Sequence, residues 1–205
     1  AAAQELVLPV WIPGSYLVRE FARHLQGLQA RQGRKDCAIT QIDKHRWRVD
    51  CLPGKPLELR YAVLAHDDSV RTAWLDSTRA FFNGTSLCLR VEGQSAQPCS
   101  IDIDAPELIA DSADWYSATA LFPQKVNARG FGRYGAQDYG HLVDCPVEMG
   151  PFWSARFTAC GVPHRFVVAG AAPSFDGKRL LADTQKICET AIRFWHGEGQ
   201  APFKR

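Results

Sequence analysis

The sequence predicts a mainly β protein: a β-sandwich or saddle-like N-terminal domain followed by one long amphipathic α-helix. Three observations carry that expectation. Apolar and polar residues alternate with a period of two through several short segments, and Pro/Gly turns separate those segments. The apolar period becomes helical only once with clear caps, after residue 176.

Residues 8–12 form an apolar run broken by Pro13-Gly14-Ser15-Tyr16, a turn that presents an aromatic ring beside Trp11, Phe21 and the pair Arg19-Glu20. Leu17, Phe21, Leu25 and Leu28 have helical spacing, yet they follow a turn inside a β-rich region, and strand or irregular structure is preferred over 17–28. Residues 45–51 alternate strictly, with Trp47, Val49 and Cys51 on one face. After Pro53-Gly54-Lys55-Pro56, Leu57, Leu59, Tyr61, Val63 and Ala65 repeat that period, which predicts a hairpin. Leu87, Leu89 and Val91 alternate again, as do Ile101 and Ile103 against Asp102 and Asp104. Phe157-Thr158 and residues 165–168 mark two later strands. In the last stretch Leu180, Leu181, Ile187, Cys188, Ala191, Ile192 and Trp195 suit one helical face, with Asp176 placed to cap the start and Gly197 the end.

The expected organisation is a β-rich accessory domain over 1–172 and, over 173–205, a joint (Ala171-Ala172-Pro173-Ser174) and a helix that opens a further domain. Such a helix must bury its apolar face against something, so self-association through 176–195 is expected when its partner is lacking. The chain begins Ala1-Ala2-Ala3 and its only methionine is Met149, which places the expected true start upstream.

Composition narrows the classes. Hydrophobic residues are 46% and charged residues 22% of 205, an ordinary globular balance that argues against disorder. The net charge of +2 is scattered without a basic stripe, so no nucleic acid is expected. No apolar run approaches a membrane span, so no membrane is expected. Seven cysteines, an odd count without CxxC spacing, read as reduced, mostly buried thiols in a cytoplasmic environment.

Chemical motifs are sparse. The six histidines precede Leu25, Arg46, Asp67, Leu142, Arg165 and Gly197, so His-Glu-x-x-His is absent. His141 and Cys145, four apart, read as a strand or loop that cannot close on one ion. Gly130-Phe131-Gly132-Arg133-Tyr134-Gly135 fits GxGxxG but lacks a buried strand before it, and reads as a mobile loop. Asn83-Gly84-Thr85 is a sequon and equally a strong turn, and the turn is preferred. Asp67-Asp68 and Asp102/Asp104 read as solvated strand ends and exposed faces. These residues are expected to hold no catalytic group, metal or cofactor.

Several stretches, "LPVWIPGSYLVREFARHL", "DDSVRTAWLDSTRAFFNGTSLCL", "YGHLVDCPVEMGPF" and "GVPHRFVVAG", resemble in order the N-terminal region of bacterial glycyl aminopeptidases. Those are zinc metallopeptidases related to aminopeptidase N, often with a C-terminal PDZ domain. The resemblance implies a β-saddle, whose first strand, before the Leu-Pro-x-Trp stretch, is expected to be missing here, followed by a helix that opens a thermolysin-like catalytic domain. The parent would then be a zinc enzyme that removes N-terminal residues, glycine or alanine preferred, with all its catalytic and zinc-binding groups beyond this chain. Its partners would be that downstream domain and a peptide substrate. It also implies that the Pro13–Phe21 loop and the Phe81–Thr85 turn wall one side of the substrate cleft, with Tyr16, Arg19, Asn83 and Thr85 as candidate substrate contacts. The rival reading is a freestanding β-sandwich that binds a protein or glycan through Trp11, Tyr16, Trp74 and Trp115.

Overall fold

A computed structural model of the chain describes residues 2–12, 14–107, 109, 112–172, 174–197, 201 and 203. Pro13 and Pro173, together with Lys204 and Arg205, lie outside the described residues. The first half contains β1 Ala3–Val7, a 3-10 turn Phe21–His24, β2 Leu25–Gln32, β3 Lys35–Asp36, β4 Ile39–Asp43, β5 Arg46–Asp50 and β6 Glu58–Val63. Then follow β7 Ala73–Leu75, β8 Ala80–Phe82, the single-turn helix α1 Gly84–Leu87, β9 Arg90–Val91 and β10 Cys99–Ile103. The second half continues with β11 Tyr116–Thr119, β12 Phe122–Val126, β13 Gly132–Ala136, α2 Tyr139–Asp144 and β14 Val147–Gly150. It closes with β15 Phe152–Ala159, β16 Val162–Ala169 and α3 Gly177–His196.

The strands build two sandwiches in tandem, each around its own core. In the first, the sheet β4-β5-β1-β9 faces the sheet β3-β2-β6 across Leu6, Leu8, Phe21, Ala30, Trp47 and Val49. In the second, β11-β14-β8-β7 faces β10-β13-β12 across Ile103, Trp115, Leu121, Phe131, Tyr134 and Val147. Leu6, Leu8, Val49 and Val147 are fully buried, each worth about 1.5–3 kcal/mol over exposure. The mainly β expectation with one long terminal helix holds.

Alternation identified the inward residues correctly: Trp47 and Val49 are buried, and Leu57 and Leu59 pack against the same core. The hairpin itself is overturned. Both edges of β5 are taken, by β1 and by β4, while β6 pairs with β2 in the opposite sheet. The Pro-Gly turn therefore carries the chain across the sandwich instead of folding it back alongside itself. Leu87 is helical, not extended, and only Val91 of its trio sits in a strand. The 17–28 segment is strand preceded by one 3-10 turn, which matches the preferred reading.

β15 and β16, eight residues each, form a hairpin, and α3 packs on it. The Asp176 carboxylate accepts from the Arg179 amide at 3.0 Å, the cap read from the sequence, and Gly197 ends the helix. Ile192 is buried beneath α3, whereas Ile187, Phe194 and Trp195 are 67%, 76% and 75% exposed. All seven cysteines are free; Cys145 is buried and the other six are half-buried, so the thiols are more open than expected.

Candidate functional site

The bend after the first apolar run is a polar clamp carrying an apolar ridge. Arg19 Nε and Nη2 donate to the buried Ser15 hydroxyl at 3.3 and 3.2 Å, the Ser15 amide donates to Ile12 O, and Trp11 Nε1 donates to Ser15 O. Gly14 takes a positive φ of 78°, which a side chain would strain. With the polar groups turned inward, Tyr16, Leu17 and Val18 are thrown outward, at 101%, 63% and 71% exposure.

The foot of this loop faces the second sandwich. Asn83 is tied to the segment before β7: its amide Nδ2 donates to Val70 O and its backbone N–H to Thr72 O. The next residue, Gly84, lies against α2, where an added Cβ would sit 3.0 Å from Val143 Cα. Asn83 is thus held between residues 70–72 on one side and the end of α2 on the other. The result is a groove of about 290 Å³ lined by Ile12, Gly14, Val70, Arg71, Asn83, Val143 and Asp144.

Of the four residues proposed from sequence, Asn83 lines this groove, and Tyr16 and Arg19 belong to the loop that supplies Ile12 and Gly14. Thr85 is elsewhere: it is 3% exposed, and its hydroxyl is buried without a hydrogen-bond partner among the described residues. Sequence reasoning missed Arg71, Val143 and Asp144, which are adjacent to Asn83 only through the tertiary fold. Their two charges are unopposed: neither side chain makes a hydrogen bond or an ion pair within 4.0 Å among the described residues.

A second, enclosed space at the seam, lined by Phe21, His24, Val63, Asp67, Thr72 and Ser86 among others, is only about 10 Å³, room for one water at most. Burial and then the neighbouring Arg23 hold His24 below its ordinary pKa, against the opposing pull of Asp67. Asp67 is itself held low, first by the Ser69 amide it accepts from.

The remaining motifs resolve structurally. GxGxxG is not a mobile loop: Gly132 to Gly135 lie in β13, the central strand of its sheet. A Cβ on Gly130 would overlap Ser117 O, and one on Gly132 would overlap Lys125 O, so these glycines admit neighbouring backbone. His141 lies within α2 and Cys145 caps its end, a helix and not the expected strand or loop; the Asp138 carboxylate caps its start at the His141 amide. His141 Nδ1 is used as the acceptor of the Gln137 amide. Among the described residues no group of three or more His, Cys, Asp or Glu could hold a metal, so the donor set here does not fit zinc. Trp115 is a core residue at 2% exposure, and Trp74 is half-buried and stacked on His66 at 5.3 Å, which removes one of the rival reading's contact aromatics and engages another. No helix is long and apolar enough to cross a membrane among the described residues.

Over 98% of its length, and with 40% identity, the chain superposes at a TM-score of 0.88 on an aminopeptidase N family protein from Idiomarina loihiensis, of which it spans 33%. An M1 zinc metallopeptidase from Deinococcus radiodurans is 13% identical at a TM-score of 0.48, with 97% of this chain and 46% of that one covered. No curated protein matches. Residues 1–151 match the peptidase M61 N-terminal domain, and the chain belongs to that family.

Proposed function

We propose that this chain is the noncatalytic N-terminal part of a zinc-dependent aminopeptidase that removes N-terminal residues, glycine and alanine preferred. The observation that carries the reading is the 40% identity, over 98% of this chain, to an aminopeptidase N family protein about three times as long. Residues 1–172 act as the accessory β domain, and 173 onward opens the catalytic domain. Tyr16, Arg19 and Asn83 belong to the wall of the substrate cleft. The enzyme works in the cytoplasm.

The uncovered stripe of α3 supports this division. Ile187, Ala191 and Phe194 follow one another at i, i+4 and i+7, beside the face already packed on β15, and all three are exposed. Exposed apolar stripes of that kind mark interfaces; the catalytic domain covers it in the parent, and a second copy substitutes when that domain is absent. When bound in the parent, zinc polarises the scissile carbonyl and activates water. The ligands come from the catalytic domain, and no step of that chemistry is derived from the residues described here. The coding sequence downstream tests the reading: a His-Glu-x-x-His within about a hundred codons, a typical domain length, is expected, and a stop codon directly after residue 205 contradicts it.

A further inference from the structure

We propose that the outer face of the β15–β16 hairpin binds a phosphate group, free or borne as an ester, between Arg156 and Arg165 and over the Ser154 hydroxyl. The site shares no residue with the groove between the sandwiches and does not rest on the aminopeptidase reading. Arg156 of β15 stands directly across from Arg165 of β16, so the two side chains share one face of the hairpin. Ser154, two residues back along β15, lies on that face as well. Trp153, on the alternate face, packs on Phe175 at 5.1 Å and against Gly177 at the start of α3. The arginine face is therefore turned away from the helix, and both arginines are exposed.

Like charges directly opposite destabilise a strand pair. Three other strand arginines have a carboxylate across from them: Arg48 pairs with Glu5 at 3.5 Å, Arg31 with Asp36 at 2.5 Å and Arg133 with Asp102 at 2.7 Å. Arg156 and Arg165 have only each other, and neither makes an ion pair among the described residues. Arg165 is nonetheless held in place: its Nη2 donates to Ser154 Oγ at 3.4 Å, and its guanidinium lies over the Phe152 ring at 5.4 Å. Partial burial, and next the Arg156 charge, keep it below its ordinary pKa, as for a cation lacking a counter-ion.

The missing partner is anionic, and the donor set selects its kind. Two guanidinium forks offer paired N–H donors, which match the oxygens of a phosphate. Ser154 accepts from Arg165 and so has its own O–H to donate. A carboxylate brings two oxygens and one charge, whereas a phosphate ester has close to two charges and three free oxygens, enough for both forks and the hydroxyl at once. Phe152 and, 6.1 Å from it, the exposed Tyr116 ring border the site, an apolar surface for the organic part of an ester.

The test is titration of inorganic phosphate and of phenyl phosphate with the 205-residue chain, followed by phosphorus NMR at a constant ionic strength set by chloride. Saturable binding of both is expected; tighter phenyl phosphate assigns an ester as the source, and equal affinities assign the free ion. Sulfate should displace phosphate far better than acetate does. Arg156→Gln should weaken binding by about threefold to fivefold, the scale of one solvent-exposed ion pair, and Arg156→Glu should abolish it. Arg156 is exposed and without an ion pair, so neither change threatens the fold. Arg156→Glu places a carboxylate across from Arg165 and should raise the melting temperature in chloride above that of the unchanged chain, which separates loss of the site from loss of the fold. No saturable binding, phosphate binding that survives Arg156→Glu, acetate competing as well as sulfate, or a melting temperature that Arg156→Glu lowers overturns the proposal. None of these outcomes bears on the aminopeptidase reading, which makes no use of this face of the hairpin.

Discussion

Gly132→Ala should be among the most damaging single-atom additions this chain can receive. Gly132 sits on the central strand β13, paired with Ile103 on one side and Val126 on the other, at a φ of 134°. An alanine there would be strained by its backbone, at about 1–3 kcal/mol. Its Cβ would also overlap Lys125 O and approach Val126 Cα at 3.0 Å, so the partner strand must move. Overpacking of that kind costs a further 1–3 kcal/mol or so. The sum, about 2–6 kcal/mol, is a large part of the roughly 5–15 kcal/mol that holds a domain folded. Gly33→Ala is the control, since Gly33 also has a positive φ, 61°, but an added Cβ there meets nothing within 4 Å. It should lose only the conformational component, about 1–2 kcal/mol. Urea unfolding followed by tryptophan fluorescence reads both, with Trp115 reporting from the same core as Gly132's sheet. If Gly132→Ala costs no more than Gly33→Ala, the close-approach account of the GxGxxG segment is wrong.

Asp176→Ala removes the cap of α3 and should cost about 0.5–2 kcal/mol, seen as lost ellipticity at 222 nm on mild heating before the sandwiches melt. Burial, and next the nearby Cys99, push the Cys88 thiol up from 9.0 to about 11. Between those values the unfolded thiol has already released its proton and the folded one has not, so stability should fall as pH rises from about 9 to about 11. The loss is at most about 3 kcal/mol; thiolate absorbance at 240 nm tracks the titration, and Cys88→Ala should flatten that limb. Asp102 is held below 3.8 by the bidentate Arg133 opposite it, at 2.8 and 2.7 Å. Its contribution is present above pH 3.8 and lost as pH falls through the lower folded value. Arg133→Ala should raise the Asp102 carboxyl pKa in an NMR titration; an unchanged value would show that the pair does not form in solution.

The faces of the strands were legible in the sequence because period-two alternation reports burial directly: Trp47, Val49, Ile101 and Ile103 all point as read. Pairing was not, since alternation is blind to which neighbour a strand meets. Residues 46–50 and 58–63 carry matching patterns and a turn between them, yet they lie in opposite sheets. The helix caps were legible because Asp176 and Gly197 act on their own local backbone. For the groove, Asn83 was visible through its Asn-Gly turn. Arg71 and Asp144 have no local signature, being 73 residues apart in sequence (144 − 71), and Thr85 reads as a turn residue although α1 tucks it beneath the surface.

Aminopeptidase activity compared across two lengths of the protein tests the central claim most directly. The 205-residue chain and the same chain extended through the following domain should each be assayed on glycyl and alanyl anilides, with bound metal quantified in parallel. The account predicts that the shorter chain neither hydrolyses these substrates nor retains zinc, and that the extended chain gains chelator-sensitive cleavage and one zinc per chain together. Cleavage by the 205 residues alone, or an extended protein that binds no zinc and releases no N-terminal residue, would contradict it.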